Sequence, residues 1–147
     1  MSMRSFFITI TLILAATAAC AAAKDQTLQE LITRANAAPV KEQPGLYIDI
    51  AERQLKSADE LYGEGKVDDA RAAIADVVTY SQKAHDAALQ SSKRIKQTEM
   101  ASRKMSRRLR DLKRTLNFDD QAPVQAAADR LESLAQDLLA HMFGKEK

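Results

Sequence analysis

The feature that most constrains this chain is residues 67–117, which contain neither glycine nor proline. Those two residue types end helices, so 51 consecutive residues without either favour helix throughout. With Val67 taken as heptad position a, the a set is Val67, Ile74, Ser81, Ala88, Ile95, Ser102, Leu109 and Leu116. The d set is Ala70, Val77, Ala84, Ser91, Thr98, Met105 and Leu112. Neither set holds a charge, although 18 of the 51 residues are charged. Such a repeat predicts one long central helix over about 67–117, roughly 75 Å long, with a slowly supercoiling seam. The seam is apolar at both ends and small in its middle (Ser81, Ala84, Ala88, Ser91), so the middle is its weakest part.

The rest of the composition agrees. Aromatic residues are 5% of the 147, and there are only 4 Gly and 3 Pro, too few for the turns and strands of a β-sandwich or barrel. One cysteine excludes a disulfide framework. The expected fold is all-α: helical hairpins in an antiparallel coiled-coil-like bundle built on the central helix, in one domain.

Shorter helices flank this spine. Residues 24–44 read as a short helix, with Leu28, Leu31, Ile32 and Ala35 at helical spacing, and a linker bounded by Pro39 and Pro44. A helix over 45–62 carries Ile48, Ala51, Leu55, Ala58 and Tyr62, and Gly63 and Gly65 allow it to end in a tight reversal. Asp119 or Asp120 can cap a last helix over 123–143, with Pro123 in its first turn and a seam of Val124, Ala127, Leu131, Leu134 and Leu138. Residues 45–147 would form the helical domain. Short connections fold the 45–62 helix back on the first half of the spine and the 123–143 helix on the second. Two helices make a thin core. Either the first short helix docks as a further member, or the seam mates with a second copy.

The turn after the 45–62 helix carries a resemblance. Ala58, Leu61, Tyr62, Gly65 and Ala70 stand where the hairpin of the tetratricopeptide family has a small residue, a Leu-Tyr-like pair, a turn glycine and an alanine in the second helix. The likeness covers 17 of the 124 residues after position 23. There is no second copy and no closing proline, so it implies a shared helical-hairpin turn rather than a repeat array.

Residues 1–23 read as a signal peptide: Arg4, an apolar run from Phe6 to Ala19, and small residues before Lys24. The apolar core is shorter than the roughly 20 residues of a membrane span. Cleavage after Ala23, Ala21 or Ala18 satisfies the small-x-small rule. Thr17-Ala18-Ala19-Cys20 also resembles the lipobox of bacterial lipoproteins, with Thr17 where that family has Leu; the resemblance implies lipidation of Cys20. Membrane association would come only through the signal peptide or a lipidated Cys20. The expectation is a bacterial protein, exported to the periplasm or the extracellular space.

Catalytic motifs are missing. His85 and His141 are the 2 histidines, without metal-ligand spacing to each other or to Cys20. His85 is expected near the exposed side of the spine, and His141 near a helix C-terminus. Gly63-x-Gly65 lacks the Lys-Ser/Thr of a phosphate loop. Acidic pairs Asp68-Asp69 and Asp119-Asp120 fit helix N-termini. Tyr47, Tyr62 and Tyr80 are expected to pack where the second helix meets the spine. No catalytic residue, cofactor or metal is assigned, and the chain reads as a non-enzyme.

Charge distribution is the functional lead. The net charge of +2 conceals a block, residues 93–116, whose ten basic residues face two acidic ones, giving +8. The basic set is Lys93, Arg94, Lys96, Arg103, Lys104, Arg107, Arg108, Arg110, Lys113 and Arg114, mostly at heptad positions b, c, f and g. One reading is a solvated face partly neutralised by Asp129, Glu132 and Asp137 of the last helix. The functional reading is a strip that contacts an acidic protein or an anionic envelope component. Nucleic acid is disfavoured by the export signal and by the lack of aromatics between residues 81 and 117. The competing reading is a structural coiled-coil homodimer, its seam a self-interface, with no specific ligand.

Overall fold

The computed structural model describes residues 26–144, which form five α-helices and no strand. They are α1 (Leu28–Ala37), α2 (Gln43–Gly63), α3 (Val67–Ser91), α4 (Ile95–Thr115) and α5 (Phe118–Gly144). The fold is all-α. The expected signal peptide, its cleavage sites and Cys20 lie outside the described residues.

The central helix over 67–117 is not continuous, contrary to the heptad expectation. It breaks at Ser92, Lys93 and Arg94 into α3 and α4. Ser92 (φ 53°) and Arg94 (φ 57°) take left-handed backbone, at a cost of roughly 1–2 kcal/mol per non-glycine residue. The turn is held locally. Ser91 Oγ donates to the Ala87 carbonyl (2.7 Å) and accepts the Lys93 N–H (3.2 Å).

Core burial offsets that strain. The break falls in the weak middle of the seam, whose a positions are symmetric about the Ser91–Ser92 bond and whose d positions are symmetric about Ser91. Val67 and Leu116, Ile74 and Leu109, Ser81 and Ser102, and Ala88 and Ile95 are pairs equidistant from the Ser91–Ser92 bond. Folding there turns like heptad positions inward at like depth. Ile74 and Val77 of α3 share one core with Met105, Leu109 and Leu112 of α4, with Ala51 and Leu55 of α2, and with Val124 and Leu131 of α5. Burying one large aliphatic side chain contributes roughly 1.5–3 kcal/mol, so two such residues outweigh the turn. The thin two-helix layer thereby becomes a four-helix core.

The two hairpins form as expected and stack side by side. α2 runs antiparallel to α3, with Tyr47 and Tyr80 at 6.1 Å between ring centroids and Gln54 Nε2 donating to Asp76 Oδ2 at 2.7 Å. α4 runs antiparallel to α5, with Ser106 Oγ donating to the Ala128 carbonyl and Lys113 Nζ to Gln125 Oε1. Between hairpins the neighbours are parallel. α3 meets α5 through Arg71–Asp120, Gln82–Arg130 and His85–Asp137 in succession. α2 meets α4, with Arg94 against Gly45 at one end and Leu55 beside Arg108 and Leu112 further along.

The remaining boundaries follow from capping. Thr27 caps α1, its Oγ1 accepting the Glu30 N–H (3.2 Å) while Glu30 Oε2 accepts the Thr27 N–H (3.3 Å). Leu31 and Ala35 then dock α1 against Tyr47, Ile50 and Ala84, so the first helix does join the core. α2 starts at Gln43 rather than residue 45, because Pro44 fits a first turn where its missing N–H is not needed. α2 closes in a Schellman motif: Gly65 (φ 75°) donates to the Tyr62 carbonyl, and the Lys66 N–H to the Leu61 carbonyl at 2.9 Å. This turn joins α2 to α3. α5 starts at Phe118, five residues before the expected start, and carries Pro123 inside it. Asp119 and Asp120 lie within its first turn, where carboxylates suit the helix dipole.

Candidate functional site

α4 carries most of the basic residues, and the bundle sorts them by heptad position into three sectors. Beyond the first turn of α4, positions b and e face α5. There Arg103 Nη1 lies 3.2 Å from Glu132 Oε1, and Arg110 Nη2 lies 3.9 Å from Asp129 Oδ1. Arg103 also clamps Glu99 one turn back, Nη2 to Oε1 at 2.6 Å. Glu99 is only 7% exposed. The hydrogen bond that Arg103 donates to Glu99, and then the Glu99 charge, raise the Arg103 guanidinium above its usual range, so it stays cationic. Lys113 is occupied by Gln125. Arg103, Arg110 and Lys113 are therefore engaged within the chain.

Position g faces α2. Arg108 borders a groove with Leu55 and Asp59, and Arg94 packs against Gly45 and borders a second groove with Asp49, Arg34 and Glu42. Both arginines are exposed, and neither makes an ion pair among the described residues.

The third sector points to solvent. Lys96, Met100, Lys104, Arg107, Asp111 and Arg114 recur at spacings of three and four, which aligns them on one face over roughly 27 Å. Arg114 pairs with Asp111 at 3.3 Å. Lys96, Lys104 and Arg107 are exposed without an ion pair among the described residues, as is Lys93 at the turn. In their midst Met100 is 58% exposed. The ten sequence-assigned residues are thus brought to one helix and its entry turn but not to one surface. The outward row is the part available for contact.

The acidic residues expected to neutralise α4 divide. Asp129 and Glu132 do so, but Asp137 turns to α3, where its Oδ2 lies 2.6 Å from His85 Nε2. His85 is 7% exposed, not on the open side as expected, and its Nδ1 lies 2.8 Å from Asp86 Oδ1. Position e is exposed on a two-helix layer and buried in a four-helix bundle, which explains the reversal. Carboxylates accept only, so His85 fills both contacts as a double donor when protonated. Tyr62 packs away from the other two tyrosines. Burial, and then the nearby Asp120 charge, raise its hydroxyl above the usual phenol range, against a lowering by Arg71.

Among the described residues, no group of three or more His, Cys, Asp and Glu could hold a metal ion, and no helix is long and apolar enough to cross a membrane. Comparison with protein-family models, with curated proteins and with solved structures finds no match to the chain.

Proposed function

We propose that this is an exported, non-enzymatic helical protein that works by docking an acidic protein through the outward face of α4. The observation that carries the reading is the row of Lys96, Lys104 and Arg107, exposed and unpaired among the described residues, around the exposed Met100. Arginine and methionine are enriched in protein interfaces, and an apolar anchor inside a charged rim is the usual anatomy of one. The open face of α4, where Met100, Lys104 and Arg107 border a groove with Glu52 of α2, suits a macromolecular surface rather than a small molecule. Export rests on the leader pattern of residues 1–23, with cleavage after Ala23, Ala21 or Ala18, or before a lipidated Cys20, as the candidate mature ends.

The test is a photo-crosslinking side chain at position 100, introduced into the full chain in its native cells. The expected adduct is an acidic protein. It should disappear when Lys96, Lys104 and Arg107 are reversed to Glu, and weaken as salt rises. An adduct unaffected by the reversal rejects the docking face. Equal binding of the purified chain to vesicles containing phosphatidylglycerol would replace the protein partner by an anionic envelope surface. Intact mass of the exported chain separates Lys24 from a lipidated Cys20.

A further inference from the structure

We infer that the α3–α4 turn is a hinge, and that two copies of this chain can exchange α4–α5 by straightening it into one continuous helix over about 67–117. The closed chain holds every element this requires.

The turn is the strained part of the backbone. Ser92 and Arg94 are the non-glycine residues with positive φ among those described, and they bracket a three-residue connection. Short strained hinges invite exchange between copies. Nothing in the sequence there opposes helix, since residues 67–117 contain neither Gly nor Pro. Straightening returns both residues to right-handed backbone and restores the helical hydrogen bonds of the turn.

The seam is in phase on both sides. Ser91 is a d position and Ile95 the following a position, so the heptad of α3 runs into that of α4 without a skip. A straightened helix would present one unbroken stripe. Because the a positions are symmetric about the Ser91–Ser92 bond and the d positions about Ser91, two such helices lying antiparallel would meet with the same pairs at nearly the same depth. Ile74 would then face the level of Leu109 from the other copy, and Ser81 that of Ser102. Apart from the contact of the hinge residue Arg94 with Gly45, each contact between the α2–α3 and α4–α5 hairpins is kept and becomes intermolecular, as exchange of an identical element demands. The only new surface is at the crossing, where the small Ser91 allows close approach. Lys93, Arg94 and Lys96 of both copies would gather there, so dimerisation should strengthen as salt rises. That is opposite to the trend expected of anion binding by α4, so this inference and the docking function stand or fall separately.

The experiment refolds the purified chain from guanidinium at low micromolar and at near-millimolar concentration, and reads mass by light scattering. Two hinge variants are compared. Ser92→Gly with Arg94→Gly relaxes the closed turn. Ser92→Ala with Arg94→Ala keeps its strain and favours helix. The dimer dissociation constant should be at least about a hundred-fold lower for the alanine pair, since four left-handed positions are relieved per dimer. Spin labels at Ala72→Cys and Asp111→Cys, in a Cys20→Ala background and diluted with unlabelled chain, report the hinge itself. Their separation should lengthen to about 58 Å in the dimer fraction. The inference is overturned if no dimer forms in the alanine variant at the high concentration. Equal dimerisation of both variants, or a dimer that keeps the short spacing of the monomer, overturns it as well.

Discussion

Glu99 and Arg103 form a clamp on α4, with Glu99 7% exposed and its Oε1 2.6 Å from the guanidinium one turn on. Removing the arginine strands a buried carboxylate, and leaving a buried charge without its partner is strongly destabilising. Arg103→Ala should therefore lower the melting temperature clearly. Lys104→Ala, one residue further and exposed, should stay within about 0.5 kcal/mol. Chemical denaturation of both variants checks this. Equal effects would mean that the clamp contributes nothing.

Ser81 and Ser102 are fully buried, and neither Oγ has a hydrogen-bond partner among the described residues. An unsatisfied buried hydroxyl costs about 1–3 kcal/mol. Ser81→Ala and Ser102→Ala should each stabilise the chain by about 1 kcal/mol, read as a higher urea midpoint at unchanged m-value. A loss of stability in both would show that the hydroxyls are satisfied in solution.

The two glycines of the α2–α3 turn should respond with opposite signs. Gly65 has φ 75°, so Gly65→Ala should cost about 1 kcal/mol. Gly63 ends α2 with open space around it, so Gly63→Ala should gain about 0.5–1 kcal/mol. Thermal unfolding of the pair decides the matter, and a gain at Gly65 would contradict the Schellman geometry.

Tyr47, Tyr62 and Tyr80 are each held above the usual phenol value of 10.0, burial being the largest cause in every case. A raised folded value means that the native state keeps its proton more tightly than the unfolded chain. That stabilisation is complete below pH 10 and is lost as the pH climbs through the folded values. Urea midpoints should fall steeply from pH 10 upward. The fall should be shallower in Tyr62→Phe, which also removes a buried hydroxyl without a partner among the described residues. An identical pH profile in the variant would exclude Tyr62 from the titration.

Much of this fold is written in the heptads. Of the seam positions, Ile74, Val77, Ala84, Met105 and Leu109 are all buried, and both flanking helices fold back on the halves assigned to them. The break at Ser92 was hidden because no glycine or proline marks it. Its signals are indirect, namely small residues in mid-seam and a seam that mirrors itself. Once a chain can cover its own seam, a break with two left-handed residues is favoured over a long exposed helix. The e positions follow from this. His85, Glu99 and Ser106 lie beside the seam, exposed on a hairpin and buried only when a second hairpin arrives. The basic block was legible as charge, but its division was not. The partners that engage Arg103 and Arg110, Glu132 and Asp129, come from a helix some twenty to thirty residues further along the chain.

The parallel stacking of α3 on α5 and of α2 on α4 bears on how the chain reaches its final state. Within each hairpin the contacts are short-range in sequence, so both can assemble rapidly and independently. The contacts between α3 and α5 span about fifty residues, as in Arg71–Asp120, and they close last. Until they do, each hairpin presents an unsatisfied apolar flank. The rate-limiting event should then be a search between two preformed pieces, and at high concentration a neighbouring chain can win that search.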